Sequence, residues 1–323
     1  MYSTVIDPFS KSDPEIGIRN QFKLYKNKSY DWRSNVIDPH NNSRFCFLQP
    51  LTTYTPWIFE TTDQNFHYQR SKIYEQREKL DGLRPLDEWM VSTLPSRPGL
   101  YILFGLFSEE QQLRWLGRSL FEYPEPPNIT NLSSNGTYSG SSVFKTCGAE
   151  KLRWTTLGLD YDWTSKDYSM EEKALPMEIK QISKLVIDVL GSFPLVPDAA
   201  IVNYYPKNAS ISPHADTSEI DLRRPLVSLS FGQSAVFLIG GRTPDLPVDA
   251  LLLRSGDVLV MADFQRIAFH AVPRILSGET TFSVGKWGKE AEEVVEYANK
   301  CRVNITVRQV KNLGERGDGK ESD

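Results

Sequence analysis

The chain has 323 residues, 40% of them hydrophobic and 24% charged, with a net charge of -4. That is room for one large domain with an N-terminal elaboration, or for two. No apolar run reaches the roughly 18 residues of a membrane span, and the acidic balance excludes a protein that coats nucleic acid through many Lys and Arg contacts. A single-nucleotide pocket with a local basic rim stays compatible with it.

Met1 to Asp13 carries Asp7 and Asp13 and no apolar core, so it reads as neither a secretory signal nor a transit peptide. Residues 1–95 form an N-terminal extension, polar and rich in aromatics, with a small basic cluster at Lys23 to Lys28 and one helix expected over Ser71 to Leu80. Two readings fit it: an ordered wrap on the core, or a partly disordered arm. Residues 96–197 read as a lid with supporting helices. Leu100 to Phe104 is a short apolar strand. Ser108, with Gln111 three residues on, opens a helix to about Glu122. Tyr123 to Gly148 reads as loop, and its three glycosylation sequons as chance matches. Arg153 to Tyr161 is expected to be a strand with a turn at Gly158. Met177 to Leu190 places Ile179, Ile182, Val186, Ile187 and Leu190 on one helical face and stops at Gly191. Cys46, Cys147 and Cys301 are odd in number and far apart, which argues against a disulfide framework and for a reducing compartment.

From residue 198 to 312 the texture is β. AAIVNYY, PLVSLSFG, SAVFLIGG, ALLLR, DVLVMA and FHAVPRI recur between Pro and Gly breaks, as in a sandwich or barrel. A helical stripe at Ala291, Val294, Val295 and Ala298 precedes the final strand, Arg302 to Val310. Residues 313–323 are charged, contain Gly and read as a disordered tail.

Four histidines occur in all, and two of them, His214 and His270, fall in a pattern with Asp216. Two histidines and one carboxylate are the set that holds non-haem Fe(II) and leaves coordination positions open. On an extended segment His214 and Asp216 point the same way. His270 lies in a separate strand, so the two strands must be neighbours across a jelly-roll mouth. An isolated H-x-D is common, and a lone strand histidine is more often a core residue than a ligand. The final strand adds to the pattern. Arg302, Asn304, Thr306 and Arg308 share one face, and Val303, Ile305 and Val307 the other. Buried guanidiniums need anions, which favours a pocket for a small diacid over an exposed edge of salt-bridged arginines. Asn203 and Tyr205 share a face near His214 and can hydrogen-bond the same acid, or are ordinary strand content.

The ordered set N-x-Y, H-x-D, a distant His and R-x-N-x-T-x-R resembles the AlkB-type Fe(II)/2-oxoglutarate dioxygenases, and most closely their animal homologue-one branch. Lys151 to Gly158, Asp162-Trp163, Ser165-Lys166, Phe231 to Ala235, Ser255 to Asp257, His270 to Arg274 and Arg302 to Val310 carry that likeness, over about residues 97–310. The resemblance implies an α+β, mainly β fold: a double-stranded β-helix (jelly roll) core with an N-terminal helical extension and a nucleotide-recognition lid. It implies Fe(II) on His214, Asp216 and His270, which are also the catalytic set. It implies 2-oxoglutarate held by Asn203, Tyr205, Arg302, Asn304 and Arg308, with Arg302 on the distal carboxylate and Arg308 nearer the metal. Trp154, Tyr161, Ser218 and Glu219 are the substrate-side candidates, Trp154 being equally readable as a core residue. Ser218 stands where bacterial relatives carry an acid, and Leu159 where they carry an aromatic after the lid glycine, which speaks against direct repair of alkylated DNA.

The implied activity is oxidation of methyl groups on nucleic acid bases, either in tRNA (1-methyladenosine demethylation, 5-methylcytosine oxidation) or at N6-methyladenine in DNA. The target base must leave its stack, so unpaired nucleotides are favoured. A protein-directed oxygenase or histone-type demethylase with the same iron site is the alternative, and a non-catalytic relic is a third reading. The expected partner is nucleic acid, with no membrane and a monomeric chain. The expected compartments are nucleus or cytoplasm, with the mitochondrion compatible by resemblance.

Overall fold

The computed structural model describes residues 16–43, 45–54, 63–133, 142–171, 173–191, 194–283 and 289–312. In chain order the N-terminal part forms helix α1 (Ile18–Lys26), strand β1 (Phe47–Pro50), helix α2 (Asp63–Glu78) and strands β2 (Met90–Thr93) and β3 (Leu100–Phe104). The middle holds α3 (Glu109–Phe121), β4 (Ile129–Thr130), α4 (Val143–Cys147), β5 (Trp154–Gly158), the two-residue strands β6 (Tyr161–Asp162) and β7 (Asp167–Tyr168), and α5 (Met177–Leu190). Then come β8 (Ala199–Tyr205), β9 (Ile211–His214), β10 (Leu226–Gly232), β11 (Ser234–Ile239), β12 (Asp249–Leu253), β13 (Val258–Met261), β14 (His270–Leu276), α6 (Lys289–Ala298) and β15 (Arg302–Arg308).

Local chemistry explains the boundaries. The Ser108 hydroxyl accepts the Gln111 amide at 3.2 Å and starts α3. Gly191 takes the left-handed backbone that ends α5. Gly158 ends β5 at φ +73, where any Cβ would strike the Asp198 carbonyl oxygen. The expected loop over 123–148 is corrected in two places. Ile129–Thr130 pairs with Thr156 and Thr155 at the sheet edge, and Ser142 caps α4 by accepting the Lys145 amide. Both depend on partners distant in sequence or on a cap too short to show periodicity. Helix α2 starts eight residues before the expected one, in a stretch without an apolar period. The expected start of the last helix, at 286–288, and the tail after residue 312 lie outside the described residues.

The last eight strands fold back on themselves. The first pairs with the last (β8 with β15), the second with the second-last (β9 with β14), then β10 with β13 and β11 with β12, all antiparallel. This is the double-stranded β-helix, built as two facing sheets. The larger runs β1-β2-β3-β13-β10-β15-β8-β5-β4 and the smaller β12-β11-β14-β9, with β6–β7 a separate hairpin. The larger sheet therefore takes strands from all three stretches of the chain.

Alternation along the strands decides what each face meets. Ala200, Val202, Tyr204, Val303, Ile305 and Val307 point outward into a core shared with α3, α5 and α6. Between the sheets Leu226, Phe237, Leu251, Leu259, Met261 and Val272 form a second core. A third covers the outer face of the smaller sheet, where Ile18 and Tyr25 of α1 and Trp32 pack on Val236, Leu238 and Ala271. The described part of the N-terminal extension is thus an ordered wrap. No helix among the described residues is long and apolar enough to cross a membrane.

Phe231 joins the larger sheet to α3. Its buried ring stacks on Trp115 at 5.7 Å and meets Phe107 edge-on at 5.4 Å. Phe231→Ala is expected to cost about 3–5 kcal/mol of unfolding free energy, read as a lower urea midpoint with an unchanged slope.

Candidate metal and anion site

The pairing of β9 with β14 sets His214 directly opposite His270. Their rings lie 4.3 Å apart, and Asp216, two residues past His214, brings an oxygen to 4.0 Å from His270 Nε2. One ligand atom from each of the three lies within 4.8 Å of the others, a spacing that can hold a metal ion. Backbone carbonyls orient both imidazoles. Nδ1 of His214 donates to Ser212 O at 2.9 Å, and Nδ1 of His270 donates to Ala268 O at 3.1 Å. A carbonyl only accepts, so Nδ1 carries a proton and Nε2 is the nitrogen each neutral ring would offer a metal. Burial, with His214 beside it, pushes the His270 imidazole down to about 4. It is therefore neutral at pH 7, as a ligand must be.

Asp216 is held by a buried chain of charges. Its carboxylate accepts from Arg308 Nη2 at 3.3 Å, Arg308 Nη1 donates to Glu219 at 3.1 Å, and Glu219 accepts from Arg266 Nη2 at 2.8 Å. Arg266 also donates to the backbone carbonyls of Asp216 and Arg224, at 2.8 and 2.6 Å, pinning the loop that carries the aspartate. Burial alone would raise the Asp216 carboxyl. Arg308, His270, His214 and Arg266 outweigh it and hold it well below the ordinary carboxylate range. Burial likewise opposes the charge of Arg308, yet Asp216, Tyr168 and Glu219 reverse the shift and raise it.

Arg302, six residues earlier on the same strand face, is different. It is 2% exposed and donates only to neutral acceptors, Gln233 O at 3.1 Å and Ser230 Oγ at 2.7 Å. Its Nε has no partner, and among the described residues no carboxylate lies within ion-pair distance. Burial lowers its pKa, with only Tyr205 and Asp257 pulling the other way. Tyr205 stands opposite Arg302 in the register and Asn203 opposite Asn304. All four line one cavity of about 880 Å³ together with His214, Asp216 and His270. No protein group among the described residues takes the Tyr205 hydroxyl. Asn304 is more occupied. Its amide donates to Ser228 Oγ at 2.6 Å and Leu229 O at 3.1 Å and accepts from Thr306 at 2.9 Å.

The substrate-side candidates divide. Trp154 pairs with Asn203 and lines the cavity, where Trp163 stacks on it at 3.8 Å. Tyr161 meets Trp163 edge-on at 5.0 Å, and its hydroxyl lies 3.3 Å from Ser218 Oγ. These belong to one aromatic wall. Glu219 lines the same cavity, with its carboxylate buried between Arg308 and Arg266 and accepting from Tyr168 at 3.4 Å. Arg266, Tyr168 and Trp163 were not singled out from sequence as site residues. The one available signal was an arginine, four residues before His270, set in an apolar stretch.

Comparison with known proteins agrees with this geometry. The 2OG-Fe(II) oxygenase superfamily profile matches residues 99–308. A "DNA N(6)-methyladenine demethylase ALKBH1A" of Arabidopsis thaliana is 33% identical, over 71% of this chain and 81% of its own. A human "Nucleic acid dioxygenase ALKBH1" is 31% identical, over 74% and 71%. A "tRNA demethylase abh1" of Schizosaccharomyces pombe is 32% identical, over 79% and 96%.

Two substitutions separate holding the metal from holding the loop. Asp216→Ala is expected to abolish Mn(II) binding in calorimetry with the fold retained. Glu219→Ala leaves two buried guanidiniums short of an anion and is expected to cost about 3–5 kcal/mol of stability, with Mn(II) affinity lowered as well.

Proposed function

We propose that this chain, which belongs to the 2OG-Fe(II) oxygenase superfamily in its AlkB-type branch, oxidises methyl groups on nucleic acid bases. Tyr205 and the uncompensated Arg302, in one cavity with the His214, Asp216 and His270 cluster, are the observation that carries the reading. The superfamily works with Fe(II) and 2-oxoglutarate, and the residues present fit both. Two imidazole nitrogens and a carboxylate oxygen suit Fe(II). A buried guanidinium with an unused Nε and a tyrosine hydroxyl beside it suit a carboxylate. When bound, the metal and co-substrate supply oxygen activation and hydroxylation of a target C–H bond.

The protein's own share is placement. His214, Asp216 and His270 would hold the metal. Arg302 would take the distal carboxylate of 2-oxoglutarate with Tyr205 and Asn203, while Asn304 braces the strand behind them. Arg308 would keep Asp216 ionised. A hydroxylated N-methyl group collapses to formaldehyde, and a hydroxylated C-methyl group stays on the base. The cavity and its aromatic wall of Trp154, Trp163 and Tyr161 suit a base taken out of its stack. The names of the relatives point to two substrates, methylated tRNA and N6-methyladenine in DNA. The same reading includes 1-methyladenosine demethylation and 5-methylcytosine oxidation in tRNA. The candidate ligand set is complete within one chain, so this reading requires no more than a monomer. The substrate classes suit nucleus, cytoplasm or mitochondrion, where those nucleic acids reside.

The test is turnover with Fe(II), 2-oxoglutarate and ascorbate on three probes side by side. These are a 1-methyladenosine stem-loop RNA, an N6-methyladenine single-stranded DNA and a methyl-lysine peptide. Formaldehyde from either nucleic acid, lost in His270→Ala, is the expected result; turnover of the peptide alone would overturn the reading. Arg302→Leu is expected to raise the KM for 2-oxoglutarate by about 10- to 100-fold. Arg302→Lys should recover only part, because an ammonium lacks the forked geometry.

A further inference from the structure

The proposed chemistry gives the N-terminal extension no part, yet the extension reaches the turn behind the anion pocket. Ile37 bridges β12 in parallel: its amide donates to Ala250 O at 2.8 Å, and its carbonyl accepts from Leu252 N at 3.0 Å. That lays Asp38 and His40 beside the tight turn from Arg254 to Asp257, between β12 and β13. Asp38 accepts both ends of the Arg254 guanidinium, at 2.5 and 2.7 Å. It also accepts the His40 amide at 3.1 Å, which seats the histidine. The His40 ring stacks flat on Phe104 of β3, with 3.8 Å between centroids, and its Nε2 donates to Asp257 Oδ1 at 2.8 Å. Asp257 is 1% exposed, and among the described residues no other side chain hydrogen-bonds or ion-pairs with it.

Asp257 in turn fixes the strand that supports Arg302. Its second oxygen accepts the Arg254 amide at 2.7 Å and closes the turn, with Gly256 at φ +83. The turn exchanges two backbone hydrogen bonds with Ser230 of β10: Gly256 N donates to Ser230 O at 2.7 Å, and Ser230 N donates to Asp257 O at 3.0 Å. The hydroxyl of that same Ser230 takes Arg302 Nη2 at 2.7 Å. Ser255 Oγ accepts the Gly232 amide at 3.0 Å, one residue before Gln233, whose carbonyl is the other acceptor of Arg302. Both neutral acceptors of the guanidinium therefore depend on the 254–257 turn. Asp257 also acts on Arg302 through space, its charge favouring the protonated guanidinium. Groups that fix a ligand-holding residue from behind govern affinity without touching the ligand. Resting on the 2-oxoglutarate reading above, we infer that His40 is a positioning residue for the co-substrate. Through Asp257 and Ser230 it fixes the direction of the Arg302 guanidinium, which makes the N-terminal extension part of the anion site.

The test is calorimetric titration of 2-oxoglutarate into the full chain loaded with Mn(II), alongside titration of Mn(II) alone. Two substitutions separate the hydrogen bond from the packing. His40→Phe keeps a ring on Phe104 and loses the donor, whereas His40→Gln loses the ring and keeps an N–H at the place of Nε2. His40→Phe is expected to weaken 2-oxoglutarate binding about tenfold with Mn(II) affinity unchanged, and His40→Gln to stay close to wild type. Asp38→Asn, which loosens the seat of His40, is expected to shift 2-oxoglutarate affinity in the same direction as His40→Phe. Trp32→Ala controls for stability, because Trp32 packs the same extension on the smaller sheet. It is expected to lower the melting temperature and to leave 2-oxoglutarate affinity at the wild-type value. Wild-type affinity in His40→Phe, or in Asp38→Asn should the former not fold, overturns the inference and leaves the 2-oxoglutarate reading standing. So does a loss in His40→Gln or Trp32→Ala as large as that in His40→Phe. If the wild type with Mn(II) takes up no 2-oxoglutarate, both fall.

Discussion

A chain of alternating buried charges, Arg266, Glu219, Arg308 and Asp216, holds the centre of this protein together. Each member alone would be costly to take out of water. Linked one to the next, two cations and two anions cancel, and they tie three parts of the chain together: Arg266 precedes β14, Asp216 and Glu219 lie in the loop after β9, and Arg308 ends β15. The chain therefore joins both facing sheets across the interior. It also fixes the aspartate beside the two histidines and keeps it ionised. Removing Glu219, which sits between the two cations, would disturb both the stability of the loop and the geometry of the candidate metal cluster.

The same chain makes the two strand arginines unequal. Arg308 finds its anions within the protein. Among the described residues Arg302, on the same face of the same strand, finds only a carbonyl and a hydroxyl. A fold optimised for stability alone would pair both or replace both with apolar residues. An unpaired, fully buried guanidinium is the kind of local defect that function retains. It faces the cavity that also receives the Nε2 atoms of His214 and His270, so the two unmet demands, for an anion and for a cation, converge on one space. Beside that space stands the aromatic wall of Trp154, Trp163 and Tyr161.

The pairing of first strand with last and second with second-last makes this convergence unavoidable. Residues 214 and 270 are 56 positions apart in sequence, and 203 and 304 are 101 apart, yet each pair ends up cross-strand. The helices α3, α5 and α6 cover only the outer face of the larger sheet, and α1 the outer face of the smaller. The mouth between the sheets is left open.

Much of this was legible in the residues themselves. Strict alternation in RVNITVR, and the apolar run AAIVNYY closed by Pro206, marked those two strands, and side chains alternate between faces whatever the partner. Periodicity and a terminal glycine determined α5. The gathering of His214, Asp216 and His270 and the buried polar face of the last strand were also readable, since buried charge in an apolar frame demands a partner. Short elements with weak local signal, β4 and α4, were not, because their stability comes from partners or caps rather than from a period. Nor could spacing reveal that Glu219 pairs with both Arg308 and Arg266, or that Trp163 stacks on Trp154. Pattern along the chain reports which groups must be buried or satisfied. Only the tertiary structure decides which group satisfies which, because that choice depends on distances between residues that the chain connects through long loops.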